Sequence, residues 1–293
     1  TISTLTVSGR VTTSTLTINN KLTGATAVFS GMVSCEDIDV SGNVTTSTLT
    51  VTKSATISTL TVSGAATVST LSVNKSASVS TLTVRNAATI STLTVSGNVT
   101  TSTLIVTNYA TISTLTVSGN GAIGGRLDIT NHVSAASGTF TGMVSCEDID
   151  VSGNVTTSTL TVNNAATIST LTVSGRVTTS TLTVNNVATI STLTINGNGT
   201  IGGRLDITSH VSAASGTFTG MVSCEDVDVS GNVTTSTLTV NNAATINSLT
   251  VNNAATMGST LGITGKLTGA AALFGGNICT NGNLYVSLGV AVS

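Results

Sequence analysis

Proline and tryptophan are absent from this 293-residue chain, aromatic residues make up 2% of it and charged residues 7%. That alphabet is not an ordinary globular domain's. Nine Lys and Arg against eleven Asp and Glu give a formal net charge of −2. This is too little positive charge to neutralise phosphates, which excludes a nucleic-acid surface. Two His, scattered carboxylates and few aromatics to wall a pocket leave catalytic constellations without parts, so the chain reads as a non-enzyme with no organic cofactor. Every apolar stretch is cut by Thr, Ser, Asn or Gly, short of the ~18 residues a membrane helix requires. Cys35, Cys146, Cys224 and Cys279 are too few and too far apart for a disulfide-dense scaffold, and none forms a Cys-x-x-Cys pair. Low charge suits disorder, but 39% apolar residues and a mean hydropathy of +0.44 supply ample burial. The chain is expected to fold.

What is present is repetition. Threonine is the commonest residue, and the motif Ser-Thr-Leu-Thr-Val, with Ser72 and Ile105 as variants of its second Thr, returns with its Leu at positions 49, 60, 71, 82, 93, 104 and 115, each 11 residues on. Leu160, Leu171, Leu182 and Leu193 continue the series, and single-residue insertions before Leu127, Leu205 and Leu261 shift its frame. About 26 units fill the chain, so repetition is the whole architecture. Because the chain starts inside a unit, at Thr1-Ile2-Ser3-Thr4, it reads as a piece of something longer.

Within the unit Ala55–Ala65, two alternating runs are joined by a phase slip at Ser58-Thr59. Ala55, Ile57, Leu60 and Val62 are expected inside, with Thr56, Thr59 and Thr61 outside. Period-2 alternation of β-branched residues means strand, and the closing Ser-Gly, Asn-Asn or Gly-Asn step means turn. The fold class is all-β. One unit cannot bury its own apolar face, so units must stack at about 4.8 Å as a β-solenoid or a fibre. Three arrangements compete: a single-chain coil of one unit, a single-chain coil of two units, and an intertwined homotrimeric β-helix. A one-unit coil encloses a very thin core. The Met32–Val40 segment recurs at 143 and 221, about ten and then seven units on, and the odd offset disfavours the two-unit coil. The homotrimer is the preferred expectation, with a shaft of roughly 120 Å.

Along the chain, residues 1–20 are β repeats and 21–43 are atypical repeats with the first Cys-Glu-Asp-Ile-Asp segment. Regular units fill 44–118, 154–196 and 232–257; Gly-rich insertions with acidic units occupy 119–153 and 197–231; 258–293 are divergent repeats.

Segments such as Gly42-Asn43-Val44-Thr45-Thr46-Ser47-Thr48-Leu49-Thr50-Val51 and Gly282-Asn283-Leu284-Tyr285-Val286 resemble the repetitive shafts of trimeric viral fibres, in phages and large DNA viruses. The likeness covers nearly the whole chain, and trimeric bacterial adhesin stalks are similar. It implies a homotrimeric, protease-resistant stalk that joins a particle to a receptor-binding tip.

Two matches to G-x-G-x-x-G, at Gly119–Gly124 and Gly197–Gly202, lack the following helix that a nucleotide site needs, because Arg126-Leu127-Asp128-Ile129 reads as strand. A loop or bulge that absorbs the inserted residue is the expectation there. The acidic units are the most distinctive departure from the Thr pattern. Cys35, Cys146 and Cys224 take the inward Ile position, and paired carboxylates project outward. Glu36, Asp37 and Asp39, then Glu147, Asp148 and Asp150, then Glu225, Asp226 and Asp228 are candidate Ca²⁺ ligands; the alternative is a solvated acidic patch that limits aggregation. Arg126 with Asp128 and Arg204 with Asp206 are expected to form surface ion pairs on the outward rows of the acidic units. His132 and His210 fall on the turn side. Asn43, Asn74, Asn98, Asn154, Asn198 and Asn232 each begin an N-x-[ST] sequon at a turn, candidate glycan sites on a eukaryotic secretory route.

The function expected is a structural spacer or stalk, extracellular or on a virion surface, that partners itself and an unidentified receptor or anchor. The alternative takes the outward pairs Thr48 and Thr50, and Thr114 and Thr116, as part of a flat Thr-x-Thr array, which resembles the ice-binding face of some antifreeze solenoids. Against it, Arg126, Asp128 and the acidic units break the array.

Overall fold

The computed structural model describes residues 2–273 and over them is all-β, a parallel β-solenoid of about 16 turns with no helix. Extended backbone runs through the corners with so little interruption that Thr48–Val106 forms one continuous strand run.

The turn is neither one unit nor two. Ile38 pairs with Ala55 one level up, and Asn43 pairs with Thr59, so the step along the chain alternates between a longer and a shorter one. A longer and a shorter step together carry the chain through three units. Each unit contributes two sides of a triangular coil, and one and a half units close a level. The expected coil lengths are corrected accordingly, and within this chain each level is closed by one and a half of its own units.

Three faces follow. Face A carries Val33 and Cys35 inward with Leu49 and Val51 one turn up. Face B carries Ile38 and Val40 beneath Ala55 and Ile57, and face C carries Val44 and Thr46 beneath Leu60 and Val62. The phase slip at Ser58-Thr59 is the corner between faces B and C. Ala55, Ile57, Leu60 and Val62 are all buried while Thr56 and Thr61 are exposed and Thr59 half-exposed, as the alternation requires.

A turn of one and a half units explains the packing. Successive levels bring opposite halves of the unit to the same column, so a large residue meets a small one: Leu93 lies under Ala110 and Leu171 under Ala188. Two inward residues per side fill a three-sided interior, mostly with Ala, Val, Ile and Leu, at the close packing a protein core requires. Among the described residues closure also leaves no lateral strand edge to aggregate.

Corners alternate for the same reason. Within a unit the corner has two residues, as at Ser47-Thr48; between units it has three, as at Ser63-Gly64-Ala65, and at each edge one lies above the other. Asparagines at the middle of three-residue corners tie the two together, with Asn108 Nδ2 donating to Ser91 Oγ at 2.8 Å and Asn186 Nδ2 to Ser169 Oγ at 2.7 Å.

The inserted residues are absorbed outside the strands, as expected, in the short breaks at 124–126 and 202–204. They widen a corner. Residues 107–109, 124–126 and 141–143 are three three-residue corners in succession on the edge between faces B and C, with Asn108, Gly125 and Gly142 stacked. The approach is close enough that a Cβ on Gly125 would run into the Asn108 carbonyl, and one on Gly142 into the Gly125 carbonyl. The same construction recurs at 202–204 and 219–221. Strand, not helix, follows each G-x-G-x-x-G: Leu127–Ile129 and Leu205–Ile207.

Candidate functional site

The acidic units, Cys-Glu-Asp-Ile-Asp from Cys35 and Cys146 and Cys-Glu-Asp-Val-Asp from Cys224, turn at two-residue corners in which Glu-Asp stands where Ser-Thr is the rule. The geometry accounts for the substitution. Below the first of them, the Asn20 carbonyl accepts from both Glu36 N and Asp37 N, at 3.0 Å each. Above it lies a three-residue corner, whose extra amide has no carbonyl opposite. Asp37 Oδ1 fills that gap, accepting from Ser54 N at 3.1 Å and from Ser54 Oγ at 2.6 Å. Asp148 accepts from Ala165 N at 3.0 Å and Asp226 from Ala243 N at 3.1 Å in the same way.

The glutamates are also engaged. Glu36 pairs with Lys53 at 2.7 Å; Glu147 accepts from Asn164 at 2.8 Å and from Asn163 at 3.3 Å, and Glu225 accepts from Asn242 at 3.1 Å. Asp39 pairs with Lys21 at 3.2 Å across a half-exposed surface, where such a bridge contributes little. The level beneath sets Lys21 opposite Asp37, His132 opposite Asp148 and His210 opposite Asp226. The hydrogen bonds from Ser54 hold the Asp37 carboxyl below its ordinary value, and Lys53 and Lys21 add to the effect. Lys53 is raised, first by its hydrogen bond to Glu36.

Cys35, Cys146 and Cys224 point inward, buried and unpaired. Burial first, and the neighbouring carboxylates second, push each thiol up to about 12. They are small core hydrophobes; Cys279 lies outside the described residues.

The three acidic units do not converge. Cys146 follows Cys35 by ten units and one inserted residue, and Cys224 follows Cys146 by seven units and one inserted residue. Ten and seven leave the same remainder on division by three, and three units return the chain to the same face. Each step therefore moves the acidic unit by two faces. Glu36 caps the edge between A and B, above Asn20 and below Lys53; Glu147 caps that between C and A, above Asn131; Glu225 caps that between B and C, above Ser209. Asp37 and Asp39 project from face B, Asp148 and Asp150 from face A, Asp226 and Asp228 from face C. Among the described residues no three His, Cys, Asp or Glu side chains gather where they could hold a metal ion.

Arg126 pairs with Asp128 at 2.7 Å and Arg204 with Asp206 at 2.6 Å. Asp128 lies on face C beneath Ser145 and Asp206 on face B beneath Ser223, one face away from the acidic unit that follows, not on its rows as the sequence suggested.

The six sequon asparagines are all exposed at corners. Among the described residues none of them uses its side-chain amide in a hydrogen bond, in contrast to Asn108 and Asn186 at mid-corner.

Comparison of the chain with protein-family models, with curated proteins and with solved structures found no significant match.

Sequence reasoning missed five buried threonines. Thr46, Thr101, Thr157, Thr179 and Thr235 occupy inward positions just before two-residue corners. Thr46 Oγ1 donates to the Gly31 carbonyl at 2.7 Å and lies 3.1 Å from Thr48 O. The signal was the Val-Thr-Thr-Ser-Thr-Leu spelling, whose second Thr stands where other units place Ile or Val.

Proposed function

We propose that this chain is a structural shaft, a stiff spacer in an extracellular or virion-surface filament that serves attachment. The observation that carries the reading is the single core, continuous through about 16 levels, in which even the insertions and acidic units are absorbed at corners. In such a coil each level contacts only its neighbours, so chain length converts directly into reach. Levels about 4.8 Å apart give a shaft of roughly 75 Å, shorter than units stacked one per level. The likeness of Gly42–Val51 to viral fibre shafts supports the same reading, as does the exposure of all six sequons on an outward surface. Association into a trimer or a longer filament joins complete shafts, because one chain already closes its own core.

Immunogold labelling of intact source particles or cells tests this. Antibody against the folded chain is expected to decorate thin surface projections; label confined to the interior would overturn the proposal.

A further inference from the structure

The registers separate three surfaces that the repeat makes look alike. On face A the central outward residues Thr183, Thr200, Thr217, Thr234, Thr250 and Thr268 lie directly over one another. Across the same levels face B carries Asp206 and Ser223, and face C carries Ser212 and Asp228. The charged residues that interrupt the array in sequence thus fall on the other two faces, and this length of face A is a neutral, unbroken threonine column.

Beside it, up to Ser248, runs a second neutral column, in which Asn198 lies beneath Ser215 and Asn232 beneath Ser248; Lys266 ends it at the level of Thr268. The two columns bound a shallow groove floored by Gly199 and Gly216. Among the described residues no hydroxyl of the threonine column donates within the chain, although the inward Thr179 and Thr235 both do. Its hydrogen bonds must come from outside.

We propose that face A between Thr183 and Thr250 binds ice. The column repeats at the strand spacing of about 4.8 Å, and the two columns stand about two residues, roughly 6.6 Å, apart. Such a rectangular lattice, methyl and hydroxyl groups in one column and amide and hydroxyl groups in the other, fits a periodic solid, not a single small molecule. Water held in a file along the groove, between the Asn/Ser and Thr columns, satisfies the free hydroxyls. The methyl groups favour a surface whose water is already ordered over bulk solvent. No fixed charge in the column pulls that water out of register. A crystal of water is the occupant that needs only regularity and neutrality, which are the two properties that single out this face. The activity goes beyond the spacer role and does not depend on it.

The test is partition of the full chain into slowly growing ice, together with inhibition of ice recrystallisation. The intact chain is expected to concentrate in the ice fraction. The face A variant Thr217→Lys is expected to fall to the level of a non-binding protein, whereas Thr239→Lys on face B and Thr245→Lys on face C keep the activity of the parent. Circular dichroism of all three variants checks that each is folded, and a second face A substitution, Thr200→Ser, is expected to weaken partition without loss of fold. No partition of the parent chain, or an equal loss in the face B and face C variants, overturns the inference. So does a face A variant that leaves partition intact but lowers the mass of the particle, because the surface then packs against a second copy.

Discussion

A buried hydroxyl costs stability unless it finds a partner, and in this chain that requirement explains where threonine goes inward. Thr235 is fully buried, and its Oγ1 donates to the Gly220 carbonyl at 3.1 Å. Thr235→Val keeps the shape and strands that carbonyl, at a cost of about 1–2 kcal/mol in urea unfolding. The outward Thr239→Val is expected to stay within about 0.5 kcal/mol of the parent. At the same scale, the Cys35, Cys146 and Cys224 thiols, pushed up to about 12 by burial, have almost no thiolate at neutral pH. Mass-spectrometric mapping of alkylation near neutral pH is expected to find all three protected in the folded chain and modified once it is unfolded. Fast native modification would contradict their inward placement.

At the level of the corner, the alternation of two and three residues creates both the acidic cap and the glycine stack. Asp37 is held below its ordinary value in the folded chain and regains that value when unfolded. Its contribution is therefore complete above the ordinary value and is lost as pH falls through the depressed folded one. Hydrogen exchange at Ser54 N is expected to accelerate over that acidic window in the parent and to be fast at every pH in Asp37→Ala. Because donors of the chain already occupy Glu147 and Asp148, added Ca²⁺ or a chelator is expected to leave the melting temperature unchanged. Gly125 has no room for a Cβ against Asn108, so Gly125→Ala is expected to cost about 1–3 kcal/mol. Gly97→Ala meets the Ser80 carbonyl at the milder 2.8 Å and is expected to cost less.

Much of this scale was legible in the sequence. Alternation named Ala55, Ile57, Leu60 and Val62 as core, Cys35 as an inward substitute and Arg126 with Asp128 as a pair. Alternation reports only which side of a strand a residue occupies; it carries no information on how many corners close a level. The phase slip at Ser58-Thr59 was visible but its angle was not, so one and a half units per turn stayed hidden between the one-unit and two-unit choices. The same gap concealed the dispersal of the acidic units onto three edges and the clean column on face A, since both depend on counting units in threes.

For the whole molecule, the coil makes length and azimuth separate variables. Removing three units from the regular region, such as residues 58–90, takes out two levels and leaves every later face where it was. Removing a single unit takes out two sides and swings the second and third acidic units onto new edges relative to the first. Both deletions are expected to fold, because each joins like positions of the repeat.

One chain closes each level with one and a half of its repeat units. Light scattering combined with small-angle X-ray scattering on the dilute chain tests it most directly. The unit closing on itself is expected to have a mass near 28.9 kDa and a rod length of roughly 75 Å. A particle three times as heavy and roughly 120 Å long, with no lighter folded species on dilution, would contradict it and restore an intertwined trimer of single-unit levels.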